Sequence, residues 1–209
     1  MEVHPPEHPI HSARDFFLHL FTITIGLLIA LGLEGLVEAA HHRHLLHQAE
    51  TNLRLEFAEN RKQLAFDEQQ LHGTEGLLAD DLALLAEARG HQASSGGLKF
   101  NCDWNGMQTA AWDTARDTGA LALMPYDRAL QYSNIYGQQT TVNDQATIYF
   151  HKVAVIPATL QGGRKLSDLN TADIDTMITN TQQAMVEAKL LGDLCHSLDV
   201  LYDDAGSKL

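Results

Sequence analysis

Cysteine is scarce in this chain of 209 residues, with only Cys102 and Cys195 present. They form no C-x-x-C pair, which excludes the common zinc and dithiol redox motifs. The two make a candidate disulfide that would close a long loop, with two unpaired buried cysteines as the alternative. Proline is equally thin, and none occurs between Ile10 and Pro125. That interval is free of the residue that most reliably breaks a helix. Basic residues number 14 against 27 acids, for a net charge of −13, and they form no stripe. Phosphate contacts need clustered positive charge, so nucleic acid is not an expected partner. Also missing are a Gly-rich phosphate loop, a G-x-S-x-G elbow, an H-E-x-x-H pair and a calcium loop. No cofactor and no enzymatic activity are expected. The acid pairs Asp80-Asp81 and Asp203-Asp204 read as solvated helix surface.

What is present begins with "FFLHLFTITIGLLIALGLEGLVEAAHHRHLLH", Phe16 to His47. No residue from Phe16 to Leu33 is formally charged, and the apolar pattern continues through Leu36 and Val37. A span needs about 20 apolar residues, so 16–38 reads as a transmembrane helix after an irregular tail, 1–15. Thr22 and Thr24 are tolerable in lipid because their hydroxyls can bond the preceding turn. A cleaved signal is the competing reading, with Val37 and Ala39 before the cut. The single Arg14 ahead of the run and the length of the run favour a retained anchor. Flanking charges set orientation poorly, with Arg14 on one side and Arg43 and Arg54 on the other. Export of large acidic domains regardless of local charge, and the two cysteines, favour the amino terminus inside.

Gly26 and Ala30 form a small-xxx-small pair of the kind that lets helices approach closely in lipid. Glu34 lies within a turn of the apolar run and Glu38 one turn later. A carboxylate at that depth is costly unless paired, protonated or wetted. Gly26, Ala30, Glu34 and Glu38 are therefore the candidate contacts for a membrane partner. Eight of the 12 histidines precede Gln48, and His41, His42, His44 and His47 follow the anchor directly. Glu38-x-x-His41 has the spacing of a carboxylate–histidine metal pair, so Glu38, His41 and His44 are the candidate metal ligands, with further ligands required from other helices.

Helical patterning resumes at Leu45 and runs to about Arg89. Phe57, Leu64, Leu71, Leu78 and Leu85 recur every seven residues, with Leu53 and Leu82 in the companion position, as on a helix facing a bundle. Gly73 and Gly76 mark an expected kink or break. "GHQASSGG" reads as a loop, Met107 to Asp117 as a short helix stopped at Gly119, and Pro125 as the start of a long helix. Leu130, Ile135, Val142, Ile148, Phe150 and Val153 are its expected inward residues. "QGGRKLSD" is the next break, and Asn170 or Thr171 caps a final helix to about Asp203. Its expected inward residues include Ile174, Met177, Ile178, Met185, Leu191, Leu194, Leu198 and Leu201. The fold expected is all-α. One transmembrane helix continues into a long helix, and residues 57–209 pack with it as an up-down-up extramembrane bundle above a juxtamembrane stalk, 39–56. Trp104, Trp112, Tyr126, Tyr132, Tyr136 and Tyr149 are read as core and cap packing.

"TIGLLIALGLEGLVE" followed by a long polar helix is similar to a loose group of uncharacterised bacterial single-span membrane proteins, whose anchors carry a comparable "IGILIAL" core. "AWDTARDTGALALMPYDRALQYSNIY" resembles their downstream segment. The resemblance covers about a third of the chain. It implies a bacterial cytoplasmic-membrane protein with its helical domain outside, in the periplasm, and it carries no catalytic residues. The functional expectation is a non-enzymatic accessory or scaffolding subunit of a larger membrane complex. Its partners would be the lipid bilayer and other integral subunits or copies of itself. The alternatives are a self-assembling single-span protein using the Gly26–Ala30 face and a metal- or ligand-sensing module using the juxtamembrane histidines.

Overall fold

A computed structural model describes residues 13–90, 96–100 and 103–206. The described residues are helical with no strand, as the sequence implies. They fall into two compact units, Met1–Gln48 and Ala49–Leu209. The helices are α1 (Ala13–Arg89), α2 (Ala110–Asp117), α3 (Tyr126–Val155) and α4 (Thr171–Gly206), with single 3₁₀ turns after α2, after α3 and before α4.

In the first unit, α1 has an 18-residue window long and apolar enough to cross a membrane, and none of that window is buried. Phe16, Phe21, Ile23, Leu28 and Val37 all stand exposed. Thr22 Oγ1 donates to the Leu18 carbonyl at 2.9 Å and Thr24 Oγ1 to that of Leu20 at 2.8 Å. The two hydroxyls that interrupt the apolar run are thus satisfied within the helix.

The second unit begins earlier than the bundle boundary at residue 57. Ala49, Leu53 and Glu56, expected in the stalk, are buried in it. Gly73 and Gly76 do not interrupt α1; both lie on its exposed side, where a missing side chain costs no packing. Leu64, Leu71, Leu78 and Leu85 are 4 % exposed or less and enter one core with Ile135, Val142, Val153, Leu191 and Leu198. The companion seam is different from the expectation. Leu53 is buried, but Leu82 is only half-buried, and the positions at seven-residue spacing are Asn60, Asp67, Thr74 and Asp81. Asp81 is therefore not surface, although Asp80 is.

These polar residues mark where the chain returns. Residues 96–100 and 103–109 carry no regular structure, yet they run back along α1: Lys99 meets Asp81, Asn105 and Gly106 meet Asp67, and Gln108 meets Asn60. The descending leg of the up-down-up path is this extended segment with α2, and α3 is the second ascending leg. Arg128 near the start of α3 pairs with Glu50, and Tyr136 bonds Glu56. At the other end Asn180 reaches the Val155 carbonyl, and Arg89 pairs with Asp175. α4 then descends as a fourth leg, with Arg61 pairing to Asp203. A structureless stretch seldom traverses a domain, so an up-down-up path read from three long helices puts the descent on α3 instead.

On α3 the buried positions include Ile135, Val142 and Val153 as expected, but Leu130 and Ile148 are 44 % and 46 % exposed. Tyr132, Tyr136 and Tyr149 take the inward places. α4 buries Ile174, Met177, Leu191 and Leu198, with Ile178, Met185, Leu194 and Leu201 at its edges. Ala146, Ala184 and Ala188 lie in the same core, small residues that allow α3 and α4 to approach closely. Asn170 caps α4 by accepting the Asp173 N–H at 2.8 Å. Gly119 closes α2 with φ of 77°.

Gly106 is the turn on which the return depends. Its φ is +71°, and an added Cβ would lie 3.1 Å from Asn143 Oδ1 and 3.4 Å from Trp104 Nε1. Left-handed backbone costs an L-residue about 1–2 kcal/mol before any steric term. Gly106→Ala is accordingly expected to lower unfolding stability by roughly 2 kcal/mol. A thermal unfolding midpoint equal to wild type would show the turn to be tolerant.

Candidate functional site

Two sets of residues carry potential function: the surface of the anchor and the polar seam of the domain. Gly26, Ala30, Glu34, Glu38, His41 and His44 all lie on the first unit's part of α1, and all are exposed. Nothing lies within 4 Å of a Cβ built on Gly26, Gly32 or Gly35. Glu34 makes no ion pair among the described residues. Glu38 turns to His42, with Oε1 3.9 Å from Nε2, and not to His41. The i,i+4 spacing brings the two side chains over one another. Among the described residues, no three His, Cys, Asp or Glu side chains are gathered around a point that could hold a metal ion. Glu38, His41 and His44 do not by themselves form a centre on one helix.

The seam residues hold backbone. Asn60 Oδ1 accepts the Gln108 N–H at 2.8 Å while its Nδ2 donates to the Gln108 carbonyl at 2.7 Å. A side-chain amide thereby pairs with a peptide group as a second strand would. Asp67 accepts N–H groups from Asn105 and Gly106, both at 3.2 Å, and the Gln63 amide at 2.9 Å. Glu56 accepts the Ala111 N–H at 2.7 Å at the start of α2, where a carboxylate complements the helix dipole, and the Tyr136 hydroxyl at 2.8 Å. Burial, then this bond to Glu56, raises the Tyr136 phenol far above its ordinary range. Trp112 stacks on Tyr136 with centroids 5.0 Å apart. The seam is a ladder that supplies an unstructured segment with the hydrogen bonds that a helix or sheet would otherwise provide. The carboxylates most buried in this domain are thus occupied by its own chain.

Asp81 is the weakest rung. Its Oδ1 accepts the Lys99 N–H at 2.8 Å, but Oδ2 is buried without a partner. Burial raises its carboxyl pKa, against the lowering effect of the Lys99 and Phe100 N–H groups. A carboxyl whose folded pKa lies above its unfolded value contributes stability in acid that is lost as pH rises through the folded value. Asp81→Asn keeps one acceptor and deletes the charge. It is expected to leave neutral-pH stability equal or modestly higher, and to flatten the slope of stability between the ordinary aspartate range and neutrality. A clear loss of stability at neutral pH would show the charge itself to be needed.

A second concentration of titratable groups, not singled out in the sequence, lines a cavity of about 450 Å³ between α1 and α4. It holds Glu68, His72, Glu75, Lys189, Asp193 and His196. His72 Nδ1 lies 3.4 Å from Glu75 Oε2. Burial, then Asp199, raises the Glu68 pKa. These residues are far apart in sequence and fall on the polar side of two amphipathic helices, so periodicity gave no signal for them. Cys195 is a buried free thiol, pushed up to about 12 by burial and the nearby Glu68 and Asp67, and a neutral thiol is a poor nucleophile. Its candidate partner Cys102 lies outside the described residues. Tyr132, Tyr136 and Tyr149 are core as expected, whereas Tyr126 is 77 % exposed. No protein-family model matches the chain, and neither a curated protein nor a solved structure matches it.

Proposed function

We propose that this chain is a membrane-anchored, non-enzymatic accessory or scaffolding subunit of a larger membrane complex. The observation that supports it most is Glu34: an exposed carboxylate near the end of an exposed apolar helix, for which the described chain supplies no partner. A free span gains nothing from an acid at that depth, whereas a polar group on a neighbouring subunit makes it favourable. The buried acids of the domain point the same way, being engaged by backbone. On this reading the anchor lies in the bacterial cytoplasmic membrane and the helical domain in the periplasm, a location that the resemblance to bacterial single-span proteins supports. The exposed Gly26–Ala30 face favours self-association as the second reading.

The test is gentle solubilisation of native membranes followed by size fractionation. The chain is expected to migrate with companions. Glu34→Leu should release them, and Glu34→Gln, which keeps hydrogen-bonding capacity, should release fewer. A monomer in wild type, or an intact assembly in Glu34→Leu, would remove the reading. Crosslinks between cysteines introduced at Gly26 and Ala30 that yield only homo-oligomers would transfer it to self-assembly.

A further inference from the structure

We propose that the Asn105–Gly106 step is a self-modification site, held unreactive by Asp67 and released when the return segment, 103–109, lifts from α1. It is the one Asn–Gly step in the chain, and it lies in the second unit, so the inference does not depend on the anchor. Asn105 is exposed, and no hydrogen bond among the described residues holds its side-chain amide. Gly106 follows with no Cβ to shield its backbone nitrogen. That nitrogen can attack the side-chain carbonyl carbon of Asn105 and close a succinimide ring. The step balances with water as the sole co-reactant. The Gly106 nitrogen bonds to Asn105 Cγ, the Cγ–Nδ2 bond breaks, and Nδ2 leaves as ammonia with the proton that Gly106 gives up. Water then opens the ring at either carbonyl and leaves aspartate or isoaspartate at position 105.

Two features of the Asp67 rung oppose the attack. A peptide nitrogen becomes a nucleophile only when its proton has gone, and the Gly106 N–H is donated to Asp67 Oδ2 at 3.2 Å. Losing that proton ends the bond and puts negative charge beside a carboxylate. Like charges repel, and Asp67 is fully buried, where solvent screens little. The Asn105 N–H is donated to Oδ1 of the same carboxylate, also at 3.2 Å. Successive N–H groups on one anion form a nest, here with Gly106 at φ 71°, and they pin the Asn105 ψ that lies between them. Reaction therefore requires the segment to open, and its rate follows the population of the open form. The product then blocks the way back. Ring opening favours isoaspartate, which adds a backbone carbon between the two N–H groups, so that they no longer span one carboxylate. An opening of the return segment is thereby recorded as a permanent covalent change.

The experiment keeps the full chain folded in detergent at mildly alkaline pH. The peptide spanning 103–109 is followed by mass spectrometry for asparagine, aspartate and isoaspartate. Wild type in denaturant gives the ungated rate, and folded wild type is expected to react roughly a hundredfold more slowly. Asp67→Ala, with its helices verified by circular dichroism, should react roughly tenfold faster than folded wild type. Asp67→Asn keeps an acceptor without the charge and should fall between the two; it carries the comparison if the alanine variant does not fold. Ile174→Ala removes a buried side chain from the same domain away from the rung, and should leave the rate near that of wild type. Reacted chains, separated by their added charge, should exchange amide hydrogens over 103–109 roughly tenfold faster than unreacted ones. A folded rate equal to the denatured one, equal rates in Ile174→Ala and the Asp67 variants, or unchanged exchange after reaction would each overturn the proposal.

Discussion

Replacing Asp67 by alanine is expected to destabilise the helical domain by about 3–4 kcal/mol. The side chain is fully buried and holds the N–H groups of Asn105 and Gly106 together with the Gln63 amide. Its removal leaves two peptide donors without acceptors in the interior, at about 1–3 kcal/mol each. Asp67→Asn keeps one acceptor but turns an amide NH₂ toward a peptide N–H, for an intermediate cost of about 2 kcal/mol. Trp104 and Trp112 flank this part of the return segment, so their fluorescence reports the transition during denaturation of the full chain in detergent. A shift in Asp67→Ala below ~0.5 kcal/mol, the size of an ordinary surface change, would mean that the ladder does not hold the segment.

Glu56 is expected to matter nearly as much. Glu56→Ala leaves the Ala111 N–H at the start of α2 and the buried Tyr136 hydroxyl without their acceptor, at about 2–3 kcal/mol together. The Tyr136 share can be isolated. Tyr136→Phe removes the hydroxyl that Glu56→Ala strands, so the double variant should be more stable than the sum of the two losses predicts, by about 1 kcal/mol. Strict additivity in that cycle would show that the hydroxyl and the carboxylate do not depend on each other.

The helical class and most helix ends were legible because they depend on local chemistry: Pro125 and Asn170 start helices, Gly119 stops one, and Leu64 to Leu85 recur with the period of a packed face. The anchor was legible from its uncharged run. The companion seam was not. Asn60, Asp67, Thr74 and Asp81 keep the same seven-residue spacing as the leucines, but polar residues at helical spacing normally mean solvent. Only the return segment, whose own sequence carries no periodicity, makes buried acceptors of Asn60, Asp67 and Asp81, while the Thr74 hydroxyl donates to the Gln70 carbonyl of its own helix. Spacing of polar residues at an inward position, opposite a stretch with no helix signal, is the clue that would have found the ladder. The Glu68–His72–His196 cluster had no comparable signal, because it arises from the packing of α4 on α1. Nor could the sequence show that Glu38 turns to His42, since both i+3 and i+4 partners were available.

The parallel course of α1 and α3 has a consequence for synthesis on the ribosome. α3 and α4 are consecutive, antiparallel and joined by a short connection, so they can pair as soon as both have emerged. α1 emerges first, yet its leucine stripe packs on residues from Ile135 to Leu198, and its buried acids wait for peptide groups 18 to 55 residues downstream. The inward face of α1 must therefore remain uncovered while most of the chain is translated. Polar residues alternating with leucines along that face keep it from being a continuous greasy stripe during the wait. The ladder that fastens the finished domain also keeps the unfinished one less prone to self-association.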